Sequence, residues 1–221
     1  MEQILKTEII QIINMLKRVG VPELLENENV PNNIVTSKHK FDLIDPKEGS
    51  PIKDFETGTA HYINGKEQDT YMLKIIFYDD FLHQFTYNDG NRHNSVNRLK
   101  DGVKSADFLI YEQSESKDYF IVHEISHKNA EQKIRVARKQ LSDTLNQLYK
   151  SEAIKNFISE FKNKLCYLSA KDSRKVVNSE GMADGFNEIY NILPEPMPFN
   201  YGQIKTFKFS AYETSYVQLT K

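Results

Sequence analysis

The chain has 221 residues, 39% of them hydrophobic and 27% charged, with a formal net charge of −2. That length and balance suit one soluble domain with its own core, and they exclude a polyanion binder that works through overall charge: any attraction to nucleic acid has to come from a local patch. The single cysteine excludes an internal disulfide, and no apolar run approaches the roughly 18 residues of a membrane-spanning helix.

Taken in chain order, the opening Met-Glu-Gln with Glu8 close behind lacks the basic start and small-residue cleavage site of a secretory signal. A reducing cytoplasm is the expected compartment. Residues 3–19 repeat apolar side chains at Ile4, Ile9, Ile10, Ile12, Ile13 and Leu16 and stop near Gly20, an amphipathic helix with a glycine end. Residues 26–57, rich in Asn, Pro, Lys, Asp and Gly, are expected to be loop with one short strand around Lys40–Ile44. Residues 58–64 and 69–87 run through β-branched and aromatic residues, and Tyr71–Tyr78 with Phe81–Tyr87 are expected to pair as strands around Asp79-Asp80. Turns follow at Asn88-Asp-Gly-Asn91 and Asp101-Gly102.

Two strands are predicted at 106–112 and 118–127. The link Ser114–Asp118 is short and polar, which makes them antiparallel neighbours. Asn129 and Gln132 form a capping-box pattern that opens a helix over 129–150. Its apolar stripe is Ile134, Ala137, Leu141, Leu145 and Leu148. A helix over about 151–163 and a strand around Lys164–Ser169 come next, with Cys166 a buried strand residue. A helix over 183–192 stops at Leu193-Pro-Glu-Pro-Met-Pro198, and strands at 203–211 and 213–219 end the chain.

The chemistry is concentrated between Ala106 and Leu148. Side chains alternate faces along a strand, so Phe120, Val122, Glu124 and Ser126 share one face of 118–127, while Tyr119, Ile121, His123 and Ile125 share the other. Asp107 opens the neighbouring strand. Two carboxylates on facing strands can share one or two hard divalent cations, which orient water, lower its pKa and neutralise charge on a phosphodiester. A buried carboxylate after Phe-Ile-Val is costly unless a cation or donor compensates it. Basic residues follow: Lys128, Lys133, Arg135, Arg138 and Lys139 stand against Glu131 alone, a pattern that contacts phosphate without reading sequence or forms a solvated helix face.

The order Asp107, Glu124-x-Ser126, then a helix bearing Gln140-Leu141, then a strand, resembles the PD-(D/E)xK nuclease superfamily of restriction endonuclease-like proteins, over about residues 100–170. The resemblance implies one α/β domain over 1–221: a central mixed sheet flanked by helices 3–19 and 129–150, with extra strands at 203–219. It implies Mg²⁺- or Mn²⁺-dependent phosphodiester hydrolysis, DNA before RNA, in restriction or phage defence, and a homodimer is compatible with it. Asp107 and Glu124 would bind the metal and Gln140 would support the site. Ala106 stands where a proline precedes the aspartate, and Ser126 occupies the lysine position; a hydroxyl supplies no positive charge. Either Lys128, or Lys133 or Arg135 from the helix, replaces it, or the domain is a catalytically silent module that binds nucleic acid or protein. An acidic residue from the first helix would be Glu2, Glu8 or Glu23.

A competing pattern overlaps the same residues. His123-Glu-Ile-Ser-His127 matches H-E-x-x-H, in which two histidines one helical turn apart hold zinc and the glutamate acts as base. It needs a helix where Tyr119–Val122 favours strand, and a distant third ligand such as Glu152 or Glu160. His39, His61, His83 and His93 lack ligand spacing and are expected at the surface or in loops.

Overall fold

A computed structural model describes residues 1–14, 31–83, 86–88, 96–98, 105–126, 130–170 and 195–221. Helix α1 is Glu2–Asn14. Strands β1 (Asn33–Thr36) and β2 (Lys40–Leu43) precede a 3-10 turn at Pro46–Glu48, then come β3 (Ile52–Lys53), β4 (Ala60–Asn64) and β5 (Leu73–Phe77). Helix α2 (Tyr78–His83) leads to β6 (Thr86–Asn88) and β7 (Val96–Arg98). The central part comprises β8 (Phe108–Glu112), β9 (Tyr119–Ser126), α3 (Glu131–Leu148), α4 (Glu152–Ser159) and β10 (Asn163–Ala170). Strand β11 (Met197–Pro198), a 3-10 turn at Ile204–Phe207, β12 (Ser210–Glu213) and β13 (Tyr216–Leu219) follow.

The strands form a seven-stranded mixed sheet in the order β1-β5-β8-β9-β10-β12-β11, a four-stranded sheet β13-β4-β2-β3 and the pair β6-β7. Strands β5, β8 and β9 are antiparallel neighbours, whereas β9, β10 and β12 run parallel. All eight residues of β9 are buried, as expected of a central strand covered on both faces. Phe120 and Val122 join one core with Leu5, Leu141, Leu145, Ile158 and Cys166 beneath the helices. Tyr119, Ile121 and Ile125 join a second core with Phe41, Tyr62 and Val217 of the four-stranded sheet. The mixed sheet flanked by helices is the class expected from the sequence, and Cys166 is a buried free thiol whose ionisation burial opposes. Among the described residues no helix is long and apolar enough to cross a membrane.

Several elements differ from expectation. The strand predicted over Phe81–Tyr87 begins instead as helix, with Thr86 and Tyr87 in β6, which pairs with β7 rather than with β5, and residues 84–85 outside the described ones: the chain turns into α2 after Phe77 because the N–H groups of Tyr78 and Asp79 donate to the Asp107 carbonyl, at 2.9 and 3.4 Å. Tyr78, Phe81 and Leu82 then bury at helical spacing in the core beneath the helices. Within 26–57 the one short strand expected around Lys40–Ile44 is β2, and the described part of this segment adds β1 and β3, which were expected to be loop. Ala130, without a side-chain cap, precedes α3; the Asn129 half of the predicted capping box lies outside the described residues, as do the helix predicted over 183–192 and the second turns of the predicted helix 3–19 beyond Asn14. Helix α4 ends by Ser159 rather than 163, since the N–H groups of Lys162 and Asn163 bond to Lys117 and Asp118 and draw the chain into β10. The last two strands, β12 and β13, are shorter than predicted and enter different sheets, the crossing made at Thr214, whose N–H donates to Leu168 O at 3.0 Å.

Candidate carboxylate site

The β8–β9 hairpin positions the two acids. Phe108 pairs with His123 and Leu109 with Val122, so the residue before β8, Asp107, stands opposite Glu124 on the face that carries Val122 and α3. The hairpin's link is fixed by Glu112, whose buried carboxylate accepts bonds from Ser114 and Ser116 hydroxyls and, at 2.7 Å, from Asp118 N–H. Across the hairpin, Asp107 N–H donates to Glu124 Oε2 at 3.2 Å, and Ile125 N–H donates to Asp107 Oδ2 at 2.8 Å. The carboxyls are 4% and 5% exposed, and burial is the main reason their protons are held. Desolvation pushes Asp107 up to about 8; the Ile125 N–H opposes this, Asp45 and Asp79 add to it, and Lys47 opposes it. Glu124 is raised well above the ordinary range by desolvation first, then by Asp107 and Asp79. Two buried carboxyls of this kind either hold protons or share a cation.

Two further acids approach from elements that sequence spacing did not connect with the hairpin. Asp79, in the first turn of α2, is 3% exposed and accepts from Ser105 Oγ at 2.6 Å. Asp45, 4% exposed, caps the Pro46–Glu48 turn by accepting Lys47 N–H at 2.8 Å. Lys47 itself reaches across from the four-stranded sheet and places its Nζ 3.5 Å from Asp79 Oδ2. Partial desolvation lowers the affinity of that ammonium for its proton, but Asp79, Asp45 and Asp107 outweigh it and the pKa is raised. The sequence signals were present as an Asp-Pro cap and an acidic pair ending a strand, but nothing in their spacing shows that they meet.

The other predicted site residues are distributed as follows. Gln140 Nε2 donates to Ser105 O at 2.9 Å, one residue pair removed from Asp107, and Ser105 in turn holds Asp79. Two polar neighbours on α3 were not foreseen: Thr144 Oγ1 accepts Ala106 N–H at 2.7 Å, and Gln147 Oε1 accepts from the Tyr78 hydroxyl at 3.1 Å. Ser126 ends β9 on the Glu124 face. Lys128 and His127 lie outside the described residues. Lys133 and Arg135 are exposed on α3. Arg138 is engaged with Glu213 at 2.8 Å and lies over the Phe199 ring, and Lys139 pairs with Asp143. Of the candidate acids in α1, Glu2 pairs with Lys74 and Glu8 accepts from Ser151, so neither joins the site; Glu23 lies outside the described residues.

No family model matches the chain, and neither a curated protein nor a solved structure matches it. The chemistry of the site therefore rests on its residues. The donor set is all oxygen, which suits Mg²⁺ or Mn²⁺. Among the described residues no three His, Cys, Asp or Glu side chains are gathered so as to hold a metal ion, so a cation here would rest on the Asp107–Glu124 pair. The zinc arrangement needs a helical His123–His127, whereas Tyr119–Ser126 is extended and puts His123 on the opposite face from Glu124. His123 is instead a buried neutral ring: Tyr62 O–H bonds to Nδ1 at 2.5 Å, Nε2 meets Ser169 Oγ at 2.9 Å, and Ser169 donates to Thr214 O at 2.6 Å. Desolvation lowers its pKa to about 3. His61, expected at the surface or in a loop, is 2% exposed in β4, with Nδ1 2.8 Å from Asp42 Oδ1.

Proposed function

We propose that this chain is a divalent-cation-dependent nuclease of the restriction endonuclease-like type, hydrolysing phosphodiester bonds, with DNA as its substrate. The observation that carries the reading is the direct opposition of Asp107 and Glu124 across β8 and β9, both buried and both bonded through one oxygen to the other strand's backbone. The surroundings support it. The antiparallel β8 and β9 are followed by α3, which carries Gln140 and packs on their face, and then by β10 parallel to β9, an order compatible with the hairpin, helix and strand of the resemblance. Gln140 holds the Ser105 backbone beside Asp107.

A Mg²⁺ or Mn²⁺ ion shared by the pair would neutralise phosphate charge and acidify water. Asp107 and Glu124 bind and orient; the backbone N–H groups of Asp107 and Ile125 keep the carboxylates in place; α3 closes one side of the site against solvent. Hydrolysis forms one P–O bond from water and breaks one P–O ester bond, the proton lost by water being balanced by the one gained at the leaving oxygen. The exposed Lys133 and Arg135 would meet the phosphate backbone.

The test is cleavage of supercoiled, linear and single-stranded DNA, and of RNA, with Mg²⁺ or Mn²⁺ and with chelator. Cleavage should require the metal and fall at least ~100-fold in Asp107→Ala and Glu124→Ala. Unchanged cleavage in Asp107→Ala refutes the assignment. A second reading, a catalytically silent binding module, is favoured by the serine at 126 and by the absence of a gathered set of three ligands among the described residues; it predicts DNA binding with no cleavage of any substrate.

A further inference from the structure

We infer that Lys47 provides positive charge to this site, delivered from the four-stranded sheet. The inference rests on the carboxylate-site reading above and adds the residue that meets the phosphodiester. Asp107 and Glu124 are buried opposite each other, Asp79 N–H meets the Asp107 carbonyl at 3.4 Å, and Asp45 and Asp79, buried as well, add negative charge that both carboxyls feel. A single shared dication leaves such a site short of positive charge, and a fixed cation at the point of charge development is the largest electrostatic aid available. Arg138 and Lys139 are committed to Glu213 and Asp143. Lys47 is the described lysine whose ammonium lies against one of these acids, 3.5 Å from Asp79 Oδ2.

Its placement is built, not incidental. The turn that carries it is capped by Asp45 and begins with Pro46; Glu48 N–H returns to Asp45 O at 2.9 Å; and Ile44 N–H bonds to Pro51 O at 3.0 Å, closing the loop between β2 and β3. Gly49, at φ +132°, releases the chain from the turn. The base of Lys47 is therefore rigid. Its side chain is 59% exposed while Asp79 is 4% exposed, so the ammonium lies between solvent and that buried acid. There it would contact a non-bridging oxygen of the scissile phosphodiester, remaining protonated and transferring no proton.

The position makes an experiment with two readouts that move in opposite directions. Lys47→Met removes a charge that competes with a bound cation, so Mn²⁺ binding measured by calorimetry should tighten by ~3–10-fold. The same change should slow metal-dependent cleavage at least ~100-fold, with Lys47→Arg staying within ~10-fold of wild type. A lysine that merely decorated the surface would move neither. Asp107→Ala, run in parallel, tests the underlying reading: if it matches wild type in both Mn²⁺ binding and cleavage, the carboxylate site is wrong. If Asp107→Ala loses both while Lys47→Met matches wild type in either, the site stands and the role of Lys47 is overturned. Should the wild type cut none of the substrates, the Mn²⁺ titration alone decides, and unchanged or weaker binding in Lys47→Met overturns the inference.

Discussion

Asp107 and Glu124 are held in a state that their own chemistry opposes. The usual carboxyl ionises near 4, but folded Asp107 keeps its proton to about 8. Between those values the unfolded chain has released a proton that the folded protein retains, so stability falls as pH rises through that window. Below it both states are protonated and the group contributes nothing; above it the full penalty is present. The slope is about 1.4 kcal/mol per pH unit for one such group. In chelated protein, Asp107→Asn should therefore be more stable than wild type at pH 8.5 by about 2–5 kcal/mol and indistinguishable from it near pH 4, as read by urea denaturation. Added Mn²⁺ should close the gap at pH 8.5 by stabilising wild type alone. An Asn variant with no advantage at the higher pH would mean that the acid is not buried as described.

At the scale of the element, α3 does two jobs with interleaved residues. Ile134, Ala137, Leu141, Leu145 and Leu148 are buried against the sheet, the stripe that the 3.6-residue period announces. Beside it Gln140, Thr144 and Gln147 form a polar row at the same spacing, and they grip Ser105, Ala106 and Tyr78. The helix thereby anchors the chain where it enters β8 and places Asp107. Thr144→Val keeps the shape and leaves the buried Ala106 N–H without its acceptor, which should destabilise the protein by about 1–3 kcal/mol. Amide exchange at Ala106 should accelerate, and Thr144→Ser should restore its protection. If exchange at Ala106 is unchanged in the Val variant, α3 does not hold this entry. The stripe was legible because apolar periodicity is local; of the polar row only Gln140 was named, through the family resemblance, and Thr144 and Gln147 were missed because a threonine or glutamine beside a stripe has the same spacing whether it faces water or a loop.

For the whole molecule, the decisive feature is that β9 serves two cores. Its even-numbered side chains, Glu124 among them, face the helices; its odd-numbered ones face the four-stranded sheet. His123 ties the two sheets together through Tyr62 on β4 and Ser169 on β10. Because Ser169 spends its proton on Thr214 O, Nε2 must be the donor to Ser169 and Nδ1 the acceptor from Tyr62. Tyr62→Phe leaves that ring nitrogen buried without a donor, so equilibrium denaturation should show a loss of about 1–3 kcal/mol. Loss of the tie between the sheets should also loosen the Asp45–Lys47 turn, and metal-dependent cleavage should slow in Tyr62→Phe without any weakening of Mn²⁺ binding. An unaltered denaturation midpoint would show that the two sheets are joined by apolar packing alone.

The sequence by itself determined the elements whose signals are local. These are the hairpin of β8 and β9, the stripe of α3, the buried strand at Cys166, and the alternation that puts Glu124 and His123 on opposite faces. It also placed Asp107 and Glu124 on neighbouring strands, because a short polar link leaves little freedom in pairing. Tertiary structure decided the rest. Phe81 and Leu82 lie in a helix because the Asp107 carbonyl captures the N–H groups of Tyr78 and Asp79. His61 and His123 are core residues because a second sheet covers them. Asp45, Lys47 and Asp79 converge on the hairpin from positions 28 to 79 residues from its two acids along the chain, since a side chain's electrostatic partners are set by which elements pack together, and spacing within one element carries no record of that.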